Sequence, residues 1–241
     1  MWFTGAVPNQ TRARSIDLDN PFAPLAGLCE LVLIRHGEQA LSKELSAAET
    51  VDPPLSDLGQ RQVRAVADRL ATHSVDAVYS SPLRRALDTG RAIAAHHGLE
   101  PIVRDTLTEY EPWQSFPADE SPFETLPHDE ISRIFREHIR TRSYEPFPYA
   151  EDPVAFRARV LGEIGRIVDA HLGERVVVTC HSGVINAVFA DALGSGFDMP
   201  VRVHHTSVNV LRGADTRRAV QSVNDFTHVL DFQTSVGAMN L

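Results

Sequence analysis

Apolar residues along this chain gather in short unbroken runs, and between the runs they recur every three to four positions. The first run, Leu31-Val32-Leu33-Ile34, has the length and continuity of a strand buried on both faces, and it stops at Arg35-His36-Gly37-Glu38. Runs at 75–80, 101–103 and 175–179 read the same way, the last being the most β-branched segment of the chain. Helical spacing fills the intervals at 58–70 behind Ser56 as N-cap, 83–96 behind Ser81-Pro82, 156–171 and 184–193. Residues 41–54 read as a loop, because Pro53-Pro54 bars a helix there. Segments 201–211 and 219–223 read as closing strands. Strands alternating with helices predict an α/β fold, a mainly parallel sheet covered by helices on both faces.

The texture changes between 110 and 153, where seven of the fifteen prolines fall together with most of the remaining aromatics and one amphipathic helix near 130–140. This stretch reads as a cap inserted over the sheet and not as a separate domain. Residues 1–28 read as an irregular arm, with Arg12, Arg14, Asp17, Asp19 and three prolines but no apolar core of a signal peptide. The organisation expected is therefore that arm followed by a single domain over 29–241.

A chain of 241 residues is long enough to bury a substantial core. Its net charge of −9 argues against nucleic acid or an anionic membrane as partner, and no apolar stretch approaches membrane-spanning length. Cys29 and Cys180 each adjoin a strand-like run. Two such thiols form neither a disulfide framework nor a zinc site, which predicts a reducing, cytoplasmic setting.

Candidate chemistry lies at the strand ends. In an open α/β sheet ligands bind beyond the carboxyl ends of the strands, which is where Arg35 and His36 fall. Arginine offers a fork of donors for phosphate, and neutral histidine is a nucleophile near neutral pH. A second strand runs into a helix at Tyr79-Ser80-Ser81-Pro82-Leu83-Arg84-Arg85-Ala86, where either arginine can stand beside the free N–H groups of the helix start. A third strand delivers His181 ahead of Ser182-Gly183. Glu109 follows the third short run and opens the cap; taken alone it reads as a surface carboxylate. The adjacent pairs His96-His97 and His204-His205 are poor metal ligands, since neighbouring side chains diverge on a helix or a strand.

These motifs resemble the histidine phosphatase superfamily, the phosphoglycerate mutase-like family of branch 1. Its Arg-His-Gly-Glu motif is similar to residues 35–38, and its Pro-Leu-Thr/Ser-x-x-Gly-x-x-Gln element to Pro54 through Gln62. The Ser-Ser-Pro-Leu-x-Arg-Ala-x-x-Thr motif is similar to Ser80 through Thr89, which selects Arg85 over Arg84. Leu-x-Glu is similar to Leu107 through Glu109, and the strand-then-His-Gly pattern falls at His181 with Ser182 in place of glycine. Asn224-Asp225 and His228 resemble the closing segment, so the likeness spans about residues 30–230 in order. Gln39 and Ser42 stand where the family often has Thr or Ser and then Asn.

The resemblance implies a phosphoglycerate mutase-like three-layer α/β/α sandwich and an enzyme that hydrolyses a phosphomonoester. His36 would attack phosphorus to form a phosphohistidine, Arg35, Arg85 and His181 would surround the transferring group, and Glu109 would protonate the leaving oxygen. Gln39 and Ser182 would complete the substrate contacts. Neither metal nor cofactor is implied, and the partner expected is a small phosphorylated molecule, with a homodimer among the open oligomeric states. The segment after Glu109, Tyr110-Glu111-Pro112-Trp113, differs from the Glu-Arg-His-Tyr-Gly element of phosphoglycerate mutases, which favours hydrolysis over mutase-type transfer. Other readings are a silent phospho-ligand-binding or protein-interaction module, a serine hydrolase and a cysteine phosphatase. The serine hydrolase lacks the glycines of a nucleophile elbow around Ser182, and the cysteine phosphatase has Asn186 where arginine is needed.

Overall fold

The computed structural model describes residues 27–42, 44–214 and 217–232. Most of the expected N-terminal arm lies outside these residues. Strands are β1 (Cys29–Arg35), β2 (Ala77–Ser80), β3 (Ile102–Val103), β4 (Arg175–Cys180), β5 (Val208–Ala214) and β6 (Arg217–Asp225). Among the described residues they form one sheet in the order β3-β2-β4-β1-β5-β6. The first four are mutually parallel, and β5 and β6 are added antiparallel. The mainly parallel sheet expected from the strand and helix alternation is what the chain forms.

Helices α2 (Asp57–Leu70), α3 (Arg84–Ala95), α6 (Pro153–Ala170) and α7 (Ser182–Leu193) cover the sheet. Because successive strand residues face opposite sides, Val32, Ile34, Val78 and Val177 pack with Val66, Leu70 and Ile93 of α2 and α3. Leu31, Leu33, Val176 and Val178 pack on the other face with Phe156, Ile164, Ile185 and Phe189 of α6 and α7. Each such side chain, withdrawn fully from water, contributes roughly 1.5–3 kcal/mol. Burial on both faces explains why β1 and β4 read as continuous apolar runs instead of alternating ones.

The end of the sheet away from the strand C-termini is closed by charge. Glu30 is completely buried and pairs with Arg175 and, at 2.6 Å, with Arg212. Three strands are thus held at one level by an ion triad whose disruption would strand a buried charge.

Two sequence expectations require correction. Residues 41–54 contain α1 (Ala47–Val51), a single turn capped reciprocally: Ser46 Oγ accepts from Glu49 N–H at 3.3 Å, and Ser46 N–H donates to Glu49 Oε2 at 2.9 Å. Pro53-Pro54 ends this helix without preventing it. Residues 201–207 are a loop, and strand pairing starts only at Val208. Thr206 adopts a left-handed φ of 55°, which breaks the extended path that the valines at 201 and 203 suggest.

Residues 110–153 hold α4 (Pro122–Thr125) and α5 (His128–Thr141) and carry their own apolar cluster. Trp113 stands at its centre, edge-on to Phe116, Phe123 and Phe147. Among the described residues no helix is long and apolar enough to cross a membrane.

Candidate active site

The loop leaving β1 is clamped from two sides, and the clamps account for two of the sequence motifs. Ser56 caps α2 by accepting from Gly59 N–H at 3.0 Å, and its hydroxyl donates to Glu38 Oε1 at 2.8 Å. Gln62, buried one turn later, accepts from Glu38 N–H at 2.9 Å. Gly59 is required for contact: a Cβ there would lie 2.0 Å from the Glu38 carbonyl oxygen. From α3, Thr89 Oγ1 accepts from Gly37 N–H at 3.3 Å while donating to the Arg85 carbonyl at 2.7 Å. His36 therefore stands on a short loop whose neighbours on both sides are fixed.

His36 itself is 2% exposed. Its Nδ1 lies 2.6 Å from the Gly37 carbonyl, which can only accept, so the proton is on Nδ1 and Nε2 carries a lone pair. Arg85 Nε–H points at that lone pair from 3.2 Å. Arg85 is held in turn by the Val51 carbonyl at 2.9 Å and faces Asp52 at 4.0 Å, so the end of α1 positions it. Arg84 instead points outward to Asp52 at 3.1 Å and is more than half exposed.

Arg35 donates to the Val203 carbonyl at 2.6 Å, and its Nε is buried without a partner among the described residues. His181, fully buried at the start of α7, pairs through Nε2 with Ser81 Oγ at 2.8 Å, and its Nδ1 has no partner among the described residues. Its ring centre is 5.1 Å from that of His36. Glu109 reaches the same place from beyond β3. Its carboxylate accepts from Gly183 N–H at 3.0 and 3.2 Å and from Tyr110 N–H at 2.9 Å. A Cβ on Gly183 would lie 2.3 Å from Glu109 Oε1 and 2.8 Å from the Tyr144 hydroxyl, so glycine at 183 is what admits both groups.

Electrostatics assign protonation states. Burial, then the positive charge of Arg85, pushes both His36 and His181 well below the ordinary histidine value, and both stay neutral. Burial pushes the Glu109 carboxyl up, against the two backbone N–H groups and the nearby arginines. Burial also draws Arg35 down to about 10, which leaves it charged at neutral pH. The result is a neutral nucleophilic ring, two fixed cations and a carboxyl held toward its acid form. Such a pocket attracts an anion and can deliver a proton beside it.

Of the residues singled out from sequence, His36, Arg85, Arg35, His181 and Glu109 converge here. Gln39 forms a backbone bridge to Leu55, and its Oε1 is buried without a partner among the described residues. Ser182 opens α7 and accepts from Asn186 Nδ2 through its carbonyl at 3.0 Å. Sequence reasoning missed Asp52, hidden in a segment read as loop, and His205, set aside with His204 as a poor metal ligand. His205 is 7% exposed, its ring centre 5.5 Å from that of His36. A neighbouring surface cleft of about 330 Å³, lined by Leu45, Glu49, Pro54 and Arg84, meets this cluster only through Asp52. The chemistry belongs to the buried cluster and not to that cleft.

Residues 31–226 match the model of the histidine phosphatase superfamily (branch 1). The chain is similar to phosphoglycerate mutase-like protein 4 of Arabidopsis thaliana, 31% identical over 213 residues that cover 83% of this chain and 86% of that protein. It is also similar to phosphoserine phosphatase 1 of Hydrogenobacter thermophilus, 26% identical over 85% of this chain and 96% of that one. Among solved structures, a phosphoglycerate mutase from Bacillus anthracis superposes with a TM-score of 0.69 at 22% identity, over 85% of this chain and 96% of the other, which bears on the fold. With its family model matched over most of its length and its motifs gathered around one buried histidine, the chain belongs to the histidine phosphatase superfamily, branch 1.

Proposed function

We propose that the protein hydrolyses a small phosphomonoester through a phosphohistidine formed on His36, with Glu109 as proton donor and no metal. The observation that carries this reading is the His36 tautomer, a lone pair on Nε2 directed into a pocket between Arg85 and His181.

His36 Nε2 forms the bond to phosphorus as the bond from phosphorus to the ester oxygen breaks, and Glu109 gives its proton to that oxygen. The imidazolium created by attack keeps its Nδ1–H on the Gly37 carbonyl. Arg85, released from Nε2, and Arg35, through its unpartnered Nε–H, neutralise charge on the phosphoryl oxygens. His181 adds a donor at Nδ1 when Ser81 donates to its Nε2. Glu109, now a carboxylate, takes a proton from water; the resulting hydroxide joins phosphorus, the bond to Nε2 breaks, and inorganic phosphate leaves with His36 restored.

The similarity to a protein named phosphoserine phosphatase supports a small phosphorylated substrate. The segment 110–153 would act as the cap that selects it, since it brings Tyr144 beside Glu109. Phosphate release from a panel of phosphosugars, nucleotides, phosphoserine and p-nitrophenyl phosphate tests the reading. Isomerisation of 3-phosphoglycerate without net release would instead indicate mutase-type transfer, and no turnover of any kind would indicate a binding module.

A further inference from the structure

Beyond the five residues of the motifs, a third buried histidine faces the same pocket. His205 Nε2 is buried and has no hydrogen-bond partner among the described residues. Among the described residues nothing satisfies this polar ring nitrogen, 5.5 Å from the His36 ring and in the field of Arg35 and Arg85. No described residue supplies or accepts a proton there, which leaves the position open to a bound group.

The backbone that presents His205 is strained and braced. Thr206, a β-branched residue, holds a left-handed φ of 55°, a conformation that persists only where surroundings enforce it. Its N–H donates to the Arg35 carbonyl at 3.0 Å, which pins the turn to the end of β1 beside the nucleophile. Its hydroxyl donates to the His205 carbonyl at 2.8 Å and lies 3.3 Å from His228 Nε2. Arg69 Nη1 stands 3.1 Å from His228 Nδ1 and is anchored by an ion pair to Asp225. Protons along this series run one way, from Arg69 to His228, to Thr206, to the His205 carbonyl. Three side chains, from α2, the strand β6 and the closing turn, thus act through Thr206 to fix one backbone carbonyl and, with it, the ring ahead of it.

We propose that His205 is a substrate-contact residue that donates from Nε2 to an oxygen of the phosphoryl group seated on His36. The proposal rests on the phosphatase reading, because it takes the phosphoryl group to be the anion in this pocket. Its role is in binding, because the two proposed chemical steps draw their protons from Glu109 and water and require none from His205.

The test measures phosphate release from p-nitrophenyl phosphate, and the affinity for inorganic phosphate by calorimetry, for the full chain and for His205→Ala and His205→Asn. His205→Ala is expected to raise KM and weaken phosphate binding by about tenfold or more while kcat stays within about threefold, since one hydrogen bond to a charged group is lost. His205→Asn, which keeps a donor on a shorter side chain, is expected to recover part of the loss. Should His205→Ala prove poorly folded, the Asn variant alone decides, by the split between KM and kcat at unchanged thermal midpoint. Unchanged KM and phosphate affinity in an active enzyme would overturn the proposal alone. A wild-type protein that neither binds phosphate nor releases it would overturn the phosphatase reading and this proposal with it.

Discussion

Arg85 Nε donates to His36 Nε2 across 3.2 Å, and this pair links the strand-end histidine to the start of a helix 49 residues away in sequence. The bond does two things at once. It fixes the ring with its lone pair toward the pocket, and it keeps a cation where the proposed mechanism has phosphoryl charge develop. Arg85→Ala is expected to lower kcat/KM by about 10²–10³, the cost of removing one preorganised donor. Arg85→Lys keeps the charge but loses the planar fork and should recover less than a tenth of the difference. Steady-state kinetics on both variants decide this, and a lysine variant equal to wild type would show that only charge matters.

Glu109 is expected to matter most where the leaving group is poor. Glu109→Gln should slow phosphate release from alkyl phosphates by about 10²–10⁴, and less from p-nitrophenyl phosphate, whose leaving oxygen needs little protonation. The pH profile carries a sign. Burial raises the Glu109 pKa, so its acid form persists above the ordinary carboxylate range and kcat/KM falls as pH rises through that raised value. His36, depressed by burial and Arg85, remains neutral below the ordinary histidine range, so its own limb lies at lower pH. The falling limb should vanish in the Gln variant; a limb left in place would assign it to another group.

Gly183 is predicted to be intolerant of a methyl group. The Cβ of Gly183→Ala would press on Glu109 Oε1 and the Tyr144 hydroxyl, both under 3 Å away. Displacing the proposed proton donor by about 1 Å is expected to cost about 10²-fold in kcat. Circular dichroism and the thermal midpoint, read beside kcat, separate this local effect from misfolding.

Three buried neutral histidines tie stability to pH. His36, His181 and His205 have native pKa values well below the unfolded value of about 6.5. Their contribution to stability is fully present above that value and is lost as pH falls below it, at up to about 1.4 kcal/mol per pH unit for each. The raised Glu109 carboxyl works in the opposite sense, with one proton against three. Urea unfolding should therefore give lower stability at pH 5.5 than at pH 7.5, with a shallower fall in His205→Asn. A flat profile would mean that these rings take up protons in the native state.

Much of this was legible in the chain. The strand β1 announced itself because burial on both faces demands an unbroken apolar run, and Ser56 showed the start of α2 because a helix N-terminus needs a side-chain acceptor. Gly59, Gln62 and Thr89 appeared only as motif positions; their physical reason, clamping the loop that carries His36, needed the distances. His205 was not legible as a pocket residue. The valines around it suggested a strand, and the left-handed turn at Thr206 that overrides them is braced by the Arg35 carbonyl and by His228, both distant in sequence. Asp52 was hidden because one helical turn ahead of two prolines has no periodicity to read.

On the proposed mechanism His36 carries the phosphoryl group between the two chemical steps. Wild-type and Glu109→Gln proteins would be mixed with ³²P-labelled phosphomonoester, quenched in alkali within milliseconds to seconds, and digested for mass spectrometry. An alkali-stable, acid-labile label on the peptide containing His36, longer-lived in Glu109→Gln and absent from His36→Ala, is the predicted result. Label elsewhere, or rapid hydrolysis by His36→Ala at the wild-type rate, would contradict the account.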